Sequence, residues 1–236
     1  MNNYIKHLQE LSSAQTLIRK KEYIDYNLNR YFKEIGFRNL KVLEVGPGLG
    51  EFESYLNEKE VEDIDLVDND KQVLNYVSKK YKVNKIFLAK SIVQLHKHLQ
   101  KYNFIFMMQV LEHLPINQHK TIFKILYNHL KQNGYFVIVV PNGNNPLGLV
   151  ERYADLQHTT CFTEQSLKDL VNLSGIRGYQ IGIKGYEIPS YNIINILRIV
   201  LQKLLHAILL LILIINGGVY FKIMTPNIMM IIRKNR

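Results

Sequence analysis

A glycine-rich segment, Gly46-Pro47-Gly48-Leu49-Gly50, is the strongest chemical signal in the sequence. It follows a short apolar run at residues 42–45 and precedes a segment with helical spacing, so we predict a turn between a strand and a helix. Glycines let the backbone approach a ligand closely, and a helix N-terminus offers unpaired N–H groups. The sequence therefore predicts a ligand site after the first strand, formed by Glu44, Gly46, Pro47, Gly48 and Gly50.

The spacing of these glycines separates two classes of ligand. Dinucleotide-binding turns have the pattern Gly-x-Gly-x-x-Gly, whereas here the third glycine, Gly50, comes one position early and Glu51 follows it. A carboxylate at that place would repel a pyrophosphate. S-adenosylmethionine has no phosphate and carries an ammonium group that Glu44 could face. The pattern therefore favours S-adenosylmethionine over a nicotinamide or flavin dinucleotide.

An acidic residue, Asp68, lies 22 residues beyond Gly46, at the end of a second predicted strand. An acid about 20 residues after a glycine turn can accept hydrogen bonds from both hydroxyls of a ribose. Alone, Asp68 would more readily be a helix-capping or turn residue, since Asn69 and Asp70 follow it, but together with the glycine turn it favours ribose binding. We include Asn69 and Gln109 among the predicted cofactor-binding residues.

Two histidines are candidate catalytic residues. His113 follows the fourth predicted strand, where open α/β sheets place their ligands. His158 follows Asp155 by three residues, and the carboxylate could orient the imidazole. Histidine can accept a proton near neutral pH, but each of the two could instead hydrogen-bond the backbone of its loop. The predicted substrate-binding residues are Asn142, Tyr153 and Asp155.

A metal site is not predicted from the sequence. Glu112 could bind a metal ion together with His113, but two adjacent residues do not make a site.

These residues require a framework that brings the ends of several strands together. Short apolar runs alternate with amphipathic runs, which is typical of βαβ units and a parallel sheet. Strands are predicted at residues 41–45, 64–68, 85–89, 104–107, 135–140, 179–183 and 228–232. Helices are predicted at residues 12–35, 51–56, 71–81, 92–99, 117–130 (ended by Gly134), 164–173 (capped by Thr163) and 192–216.

The predicted fold is therefore α/β, with a Rossmann-like, mostly parallel sheet of seven strands and helices on both faces. A helical cap is expected over residues 1–36 and the main domain over residues 37–236. Within that domain, residues 190–217 form a helical insertion before the last strand.

The composition bounds the class of protein. The chain has 236 residues, of which 47% are hydrophobic and 21% charged, as expected for a globular protein. A single cysteine, Cys161, excludes an intramolecular disulfide and suits a reducing cytoplasm. The net charge of +10 would attract a polyanion such as an anionic lipid, a nucleic acid or a phosphorylated substrate.

The insertion has an unusual pattern. Asn195, Arg198, Gln202 and His206 fall on one helical stripe, the other residues around them are mainly aliphatic, and residues 207–215 are wholly apolar. The apolar run at 204–215 is shorter than the roughly 20 residues that span a bilayer. Such a helix suits an anionic membrane surface, but it could also pack on the sheet or in a dimer interface.

Four blocks of sequence resemble the class I S-adenosylmethionine-dependent methyltransferases, nearest to the ubiquinone-biosynthesis type and related small-molecule enzymes. They are VLEVGPGLG at 42–50, IDLVDND at 64–70, FIFMMQVLEHLP at 104–115 and LKQNGYFVIVVPN at 130–142. The resemblance implies S-adenosylmethionine as the cofactor. The family's aspartate for the adenine amino group is missing around Lys90-Ser91.

A fifth stretch, residues 152–163 with its Asp-x-x-His pattern, is similar to bacterial methyltransferases of surface-polysaccharide and lipid-modification pathways. It implies O-methylation of a small or lipid-linked acceptor, such as a surface-polysaccharide sugar or phosphate group. A quinone-precursor phenol is the alternative acceptor, and a non-catalytic S-adenosylmethionine-binding module is the alternative function. A nucleic-acid partner is not expected, because no RNA-binding domain is recognised. The expected location is the cytoplasm, with a peripheral place on the inner face of the cell membrane as a further option.

Overall fold

The computed structural model describes residues 13–148, 153, 155–218 and 221–235. Residues 1–12 of the predicted helical cap lie outside the described residues. Seven strands are present in this part of the chain: β1 (Val42–Val45), β2 (Ile64–Asp68), β3 (Lys85–Leu88), β4 (Tyr102–Met108), β5 (Leu130–Pro141), β6 (Tyr179–Gly185) and β7 (Asn227–Lys234). The α-helices are α1 (Ala14–Ile35), α2 (Glu51–Glu58), α3 (Lys71–Lys80), α4 (His119–Asn128), α5 (Glu164–Leu173) and α6 (Ile193–Ile215).

The seven strands form one sheet in the order β3-β2-β1-β4-β5-β7-β6. The first five strands are mutually parallel, and β7 runs antiparallel to both β5 and β6. Val45 at the end of β1 pairs with Val67 of β2 and with Met107 of β4. The predicted Rossmann-like fold is confirmed, and its central strands end side by side.

The sheet buries a hydrophobic core on each face. Alternate strand residues face opposite sides, so Val42 belongs to one core and Leu43 to the other. The helices α1, α2 and α3 cover one face, whereas α4 and α5 cover the other. Phe32 of α1 packs on Phe104 of β4 with ring centroids 4.7 Å apart. The domain boundary after residue 36 stays a prediction, but α1 shares its core with the sheet.

Two sequence-based assignments of helices were wrong in detail. The helix predicted at residues 117–130 ends at Asn128, and Leu130 already belongs to β5. Gly134 lies within β5, where an added Cβ would be 2.8 Å from the carbonyl oxygen of Asn103. This glycine therefore permits the close approach of β4 and β5 and does not end a helix. The helix predicted at 92–99 is a short 3-10 turn, Ile92–Leu95.

Helix α5 and the insertion follow the prediction. Thr163 caps α5 by accepting a hydrogen bond from the backbone N–H of Ser166, and the Ser166 hydroxyl is bonded to the backbone of Thr163 in return. Helix α6 occupies the predicted place of the insertion, between β6 and β7. Among the described elements, α6 makes no extensive contact with another helix or strand.

A buried polar pair links β2 to β4. The Tyr102 hydroxyl donates a hydrogen bond of 2.7 Å to Oδ2 of Asp65, and both residues are fully buried. The side-chain amide of Asn84 donates to Oδ1 of Asp65 at 3.1 Å. A buried carboxylate that loses one of its donors is left partly desolvated without compensation.

We expect Tyr102→Phe to lower the free energy of unfolding by about 1–3 kcal/mol, the cost of leaving a buried acceptor unsatisfied. Urea denaturation measures the change. Tyr76→Phe is the matched control, because its hydroxyl accepts an exposed hydrogen bond from Lys80, and its effect should stay within about 0.5 kcal/mol. An equal loss in both variants would contradict this role of the pair.

Candidate active site

The glycine turn lies at the carboxyl end of β1. The N–H of Gly46 donates to the carbonyl oxygen of Val67 at 2.9 Å, which ties the turn to the end of β2. Gly46, Gly48 and Gly50 all have positive φ values, of 76°, 56° and 82°. A Cβ on Gly46 would lie 2.3 Å from Cγ2 of Val110, so the turn touches the loop after β4. Only glycine suits this backbone and this contact.

The turn is not crowded at Gly48. A Cβ on Gly48 would come no closer than 3.7 Å to a neighbouring heavy atom, Oε2 of Glu51. Helix α2 begins at Glu51 after Gly50, and no side chain caps its first N–H groups. Lys20 of α1 forms an ion pair of 2.6 Å with Glu51, which gives the Glu51 carboxylate a countercharge at this helix end. The backbone of the turn and the helix N-terminus can therefore receive a ligand.

Two buried carboxyl groups lie behind the turn. Glu44 of β1 is 4% exposed and Glu53 of α2 is fully buried. Burial and the neighbouring Glu53 raise the pKa of Glu44 well above its usual value, and burial raises the pKa of Glu53 to about 7. Oε2 of Glu44 has no hydrogen-bond partner within the described part of the chain. A cationic ligand group would compensate this cost.

Sequence reasoning included Glu44 and missed Glu53. The available signal was the helical position of Glu53, four residues after Leu49 and three before Leu56, which are both buried. A glutamate on the apolar face of a helix has to meet a partner inside the protein.

Asp68 ends β2 beside the turn. Its Oδ1 accepts a hydrogen bond of 2.8 Å from the N–H of Asp70, and burial raises its pKa. Asp70, and not Asp68, caps α3 by accepting a hydrogen bond of 2.7 Å from the N–H of Gln72. A carboxylate has about four acceptor positions, so Asp68 retains capacity for a ligand. Asn69 is exposed next to it.

The loop after β4 begins with Gln109, which has a positive φ of 54°. Its side-chain amide donates a hydrogen bond of 2.8 Å to Oδ1 of Asn227 at the start of β7. Glu112 and His113 follow on a 3-10 turn, Leu111–His113. This loop contacts the glycine turn through Val110, so both lie at the same edge of the sheet.

Hydrogen bonds of the neighbouring Thr159 bring His158 to this loop. The N–H of Thr159 donates to the carbonyl oxygen of Glu112 at 2.8 Å, and the Thr159 hydroxyl donates to that of Leu114 at 2.8 Å. The rings of His113 and His158 then lie 4.6 Å apart, centroid to centroid. One ligand atom each from Glu112, His113 and His158 lies within 4.8 Å of the others. The structure thus groups two predicted catalytic residues with Glu112.

The electrostatics of this cluster are unusual. Glu112 is 1% exposed, and neither of its carboxylate oxygens has a hydrogen-bond partner among the described residues. Burial raises the pKa of Glu112 to about 7. Burial and the neighbouring His158 lower the pKa of His113, which favours its neutral form. Sequence reasoning noticed Glu112 but could not show that it is buried and that His158 joins it.

The predicted substrate contacts differ in their surroundings. Tyr153 is 69% exposed, and Asp155 accepts a hydrogen bond of 2.8 Å from the N–H of Gln157. The Asn142 amide donates to the carbonyl oxygens of Ile223 and Thr225, at 3.0 and 2.9 Å. Its Oδ1 accepts a further hydrogen bond from the N–H of Asn144. Because these hydrogen bonds occupy the Asn142 side chain within the protein, we do not retain Asn142 as a contact of the methyl-accepting substrate.

Comparison with known proteins agrees with this geometry. The model of a family described as a methyltransferase domain matches residues 17–180. No curated protein matches the chain in sequence. Among solved structures, an S-adenosylmethionine-dependent methyltransferase from Archaeoglobus fulgidus is 19% identical with a TM-score of 0.62, and the match covers 94% of this chain and 100% of that one.

Two further structures share the fold. The plantazolicin methyltransferase BamL, in complex with a triazolic desmethylPZN analog and SAH, is 16% identical with a TM-score of 0.63, covering 100% of this chain and 91% of that one. The methyltransferase domain of bacterial CtHen1 is 17% identical with a TM-score of 0.55, covering 89% and 99%. The chain therefore belongs to the methyltransferase domain family, and the predicted class I S-adenosylmethionine-dependent methyltransferase is confirmed together with its cofactor.

Proposed function

We propose that this methyltransferase acts on an oxygen of a small or lipid-linked acceptor, such as a surface-polysaccharide sugar or phosphate group. The observation that carries the proposal is the meeting of three groups at one edge of the sheet. They are the glycine turn, the Asp68 carboxylate and the cluster of Glu112 with His113 and His158. Ligands of open α/β sheets bind at this edge, outside the carboxyl ends of the strands.

The residues around the turn fit S-adenosylmethionine. The unpartnered carboxylate oxygen of Glu44 suits the ammonium group, directly or through water, and Asp68 suits the ribose hydroxyls. The absence of a side chain at Gly48 lets the backbone approach the ligand closely, with Pro47 and Gly50 shaping the turn. Asn69 follows Asp68 and Gln109 follows β4, so both stand at the same edge of the sheet as the proposed cofactor contacts. When bound, the cofactor supplies an electrophilic methyl carbon on a sulfonium.

His113 and His158 promote deprotonation of the acceptor hydroxyl. The acceptor oxygen gives an electron pair to the methyl carbon as the carbon–sulfur bond breaks, and that bond's electrons stay on sulfur. The hydroxyl proton must leave, either to a ring nitrogen of His113 or His158 or to water beside them. Alignment of the oxygen and exclusion of water supply the rest of the rate enhancement, a role to which Tyr153 and Asp155 contribute.

Two observations support a small acceptor. BamL and its relative BpumL were crystallised with desmethylPZN analogs, so this fold accommodates small acceptors beside the cofactor product. The Asp-x-x-His stretch at 155–158 resembles methyltransferases of surface-glycan pathways. A quinone-precursor phenol remains the alternative acceptor, and a non-catalytic binding module the alternative function.

A lipid-linked acceptor agrees with the surface of α6. Asn195 is buried, Gln202 and His206 are half-buried, and the opposite side of the helix is apolar and exposed, from Ile193 at 77% to Ile215 at 76%. The helix is long and apolar enough to cross a membrane by length and composition. Because Asn195, Gln202 and His206 form a polar stripe along one side of α6, we propose that the helix lies in the surface of an anionic membrane with its apolar side inserted. The protein would then be cytoplasmic and peripheral.

We expect Asp68→Asn to weaken S-adenosylmethionine binding about 10- to 150-fold, which corresponds to about 1.5–3 kcal/mol for a charged hydrogen-bond acceptor. Isothermal titration calorimetry measures the affinity. Asp70→Asn is the matched control, since asparagine can still cap α3 and its affinity should stay near that of the unmodified protein. Equal affinities in all three proteins would remove Asp68 from the cofactor site.

We expect methyl-deuterated S-adenosylmethionine to label an oxygen of a sugar, sugar phosphate or lipid-linked sugar, as identified by mass spectrometry.

His113→Ala and His158→Ala should keep cofactor binding, and at least one should lose about 10²- to 10⁴-fold in turnover. His98→Ala, at an exposed site, should retain activity. Normal turnover in both active-site variants would refute the histidine assignment. A label on a phenol would favour the quinone-precursor acceptor. Cofactor binding without any labelled product would favour the non-catalytic binding module.

We expect the protein to float with liposomes that contain phosphatidylglycerol. The double variant Leu204→Glu, Leu211→Glu should lose this binding, because both side chains are exposed on α6, at 59% and 57%. Leu173→Glu is the control, at a site on α5 that is at least as exposed. Failure of the unmodified protein to float would contradict the membrane proposal, and a dimer that the double variant abolishes would identify α6 as a dimer interface.

A further inference from the structure

Three potential metal ligands converge beside the proposed acceptor position. Glu112 offers a carboxylate oxygen, and His113 and His158 each offer a ring nitrogen, all within 4.8 Å of one another. Zinc and similar ions hold such atoms about 2.0–2.2 Å away, so two ligands of one ion lie no more than about 4.4 Å apart. Small side-chain rotations would therefore bring all three onto a single ion.

The protein leaves polar atoms of Glu112 and His113 unsatisfied. Both carboxylate oxygens of Glu112 and Nδ1 of His113 are buried without a hydrogen-bond partner in the described ranges. Glu112 takes part in none of the ion pairs found there. Burying a carboxylate without a countercharge or a donor is costly, and a cation at this position would offset that cost.

The surrounding backbone fixes the arrangement. Glu112 and His113 are consecutive on the 3-10 turn after β4, which sets their relative positions. The loop that carries His158 is held to this turn by the hydrogen bonds of Thr159 to the carbonyl oxygens of Glu112 and Leu114. The two elements are far apart in sequence, so the grouping is a product of the fold.

We propose that Glu112, His113 and His158 bind one divalent first-row transition metal ion, such as Mn²⁺ or Zn²⁺. One oxygen and two nitrogen ligands suit these ions and leave coordination positions open. Three protein ligands with open positions are typical of catalytic sites, whereas structural zinc sites have four. The sequence-based expectation of no metal is thereby replaced by this proposal.

The metal ion would explain how the two histidines promote loss of the proton from the acceptor hydroxyl. This step rests on the proposed function. An acceptor with two neighbouring oxygens, such as a vicinal diol or a phosphate, could occupy the open positions. A bound divalent ion lowers the pKa of a coordinated hydroxyl, so that its proton passes to water. The oxygen is then ready to accept the methyl group, and the histidines act through the ion.

The test is calorimetric titration of MnCl₂ into the full-length, tag-free protein after treatment with EDTA. We expect one Mn²⁺ per chain, confirmed by electron paramagnetic resonance. Glu112→Gln and His158→Gln should each weaken binding at least about tenfold, since even the loss of outer-shell partners has such an effect. His98→Gln is the control for an exposed histidine and should bind Mn²⁺ normally. Thermal denaturation establishes that each variant is folded.

The readouts separate failure of the metal site from failure of the function. The metal proposal is overturned if the protein binds no Mn²⁺ or Zn²⁺, or if both variants bind as tightly as the unmodified protein. Calorimetry with S-adenosylmethionine on the same samples tests the cofactor site independently. Metal binding without cofactor binding would support the metal site and refute the proposed function. Turnover that persists in EDTA, in a protein that binds no metal, would support the proposed function and refute the metal site.

Discussion

The parallel pairing of β1 with β2 on one side and β4 on the other is the constraint on which the site depends. It places Val45, Val67 and Met107 in register, so that the three following loops leave the sheet at one edge. The hydrogen bond from Gly46 to Val67 and the contact of Gly46 with Val110 then close the loops onto one another. A side chain at position 46 would force these loops apart, and with them the proposed cofactor and acceptor positions.

Buried carboxyl groups recur on both sides of this edge. Glu44 and Glu53 lie behind the glycine turn, and Glu112 lies beside His113 and His158. Each loses hydration on folding without a full set of protein partners, and burial raises the pKa of each. Groups held at such a cost are typical of functional sites. The proposed ligands, an ammonium group and a divalent ion, supply the positive charge that both positions lack.

Much of this arrangement could be predicted from the sequence, because strands and helices leave local patterns. The glycine turn, Asp68 and the cap at Thr163 were assigned from residue type and spacing alone. Gly134 was assigned wrongly, because its role depends on the carbonyl group of Asn103 in a neighbouring strand. The cluster of Glu112 with His158 joins residues that are far apart in sequence, and Asn142 is occupied by carbonyl groups near residue 225. Such contacts follow from tertiary packing, which local patterns do not encode.

A crystal structure of the protein with S-adenosylhomocysteine tests the proposed cofactor site most directly. We expect the ribose hydroxyls to bind the Asp68 carboxylate, the amino group to face Glu44, and the backbone at Gly48 to lie against the ligand. A crevice that stays empty under these conditions, or one that accepts a dinucleotide instead, would contradict this expectation.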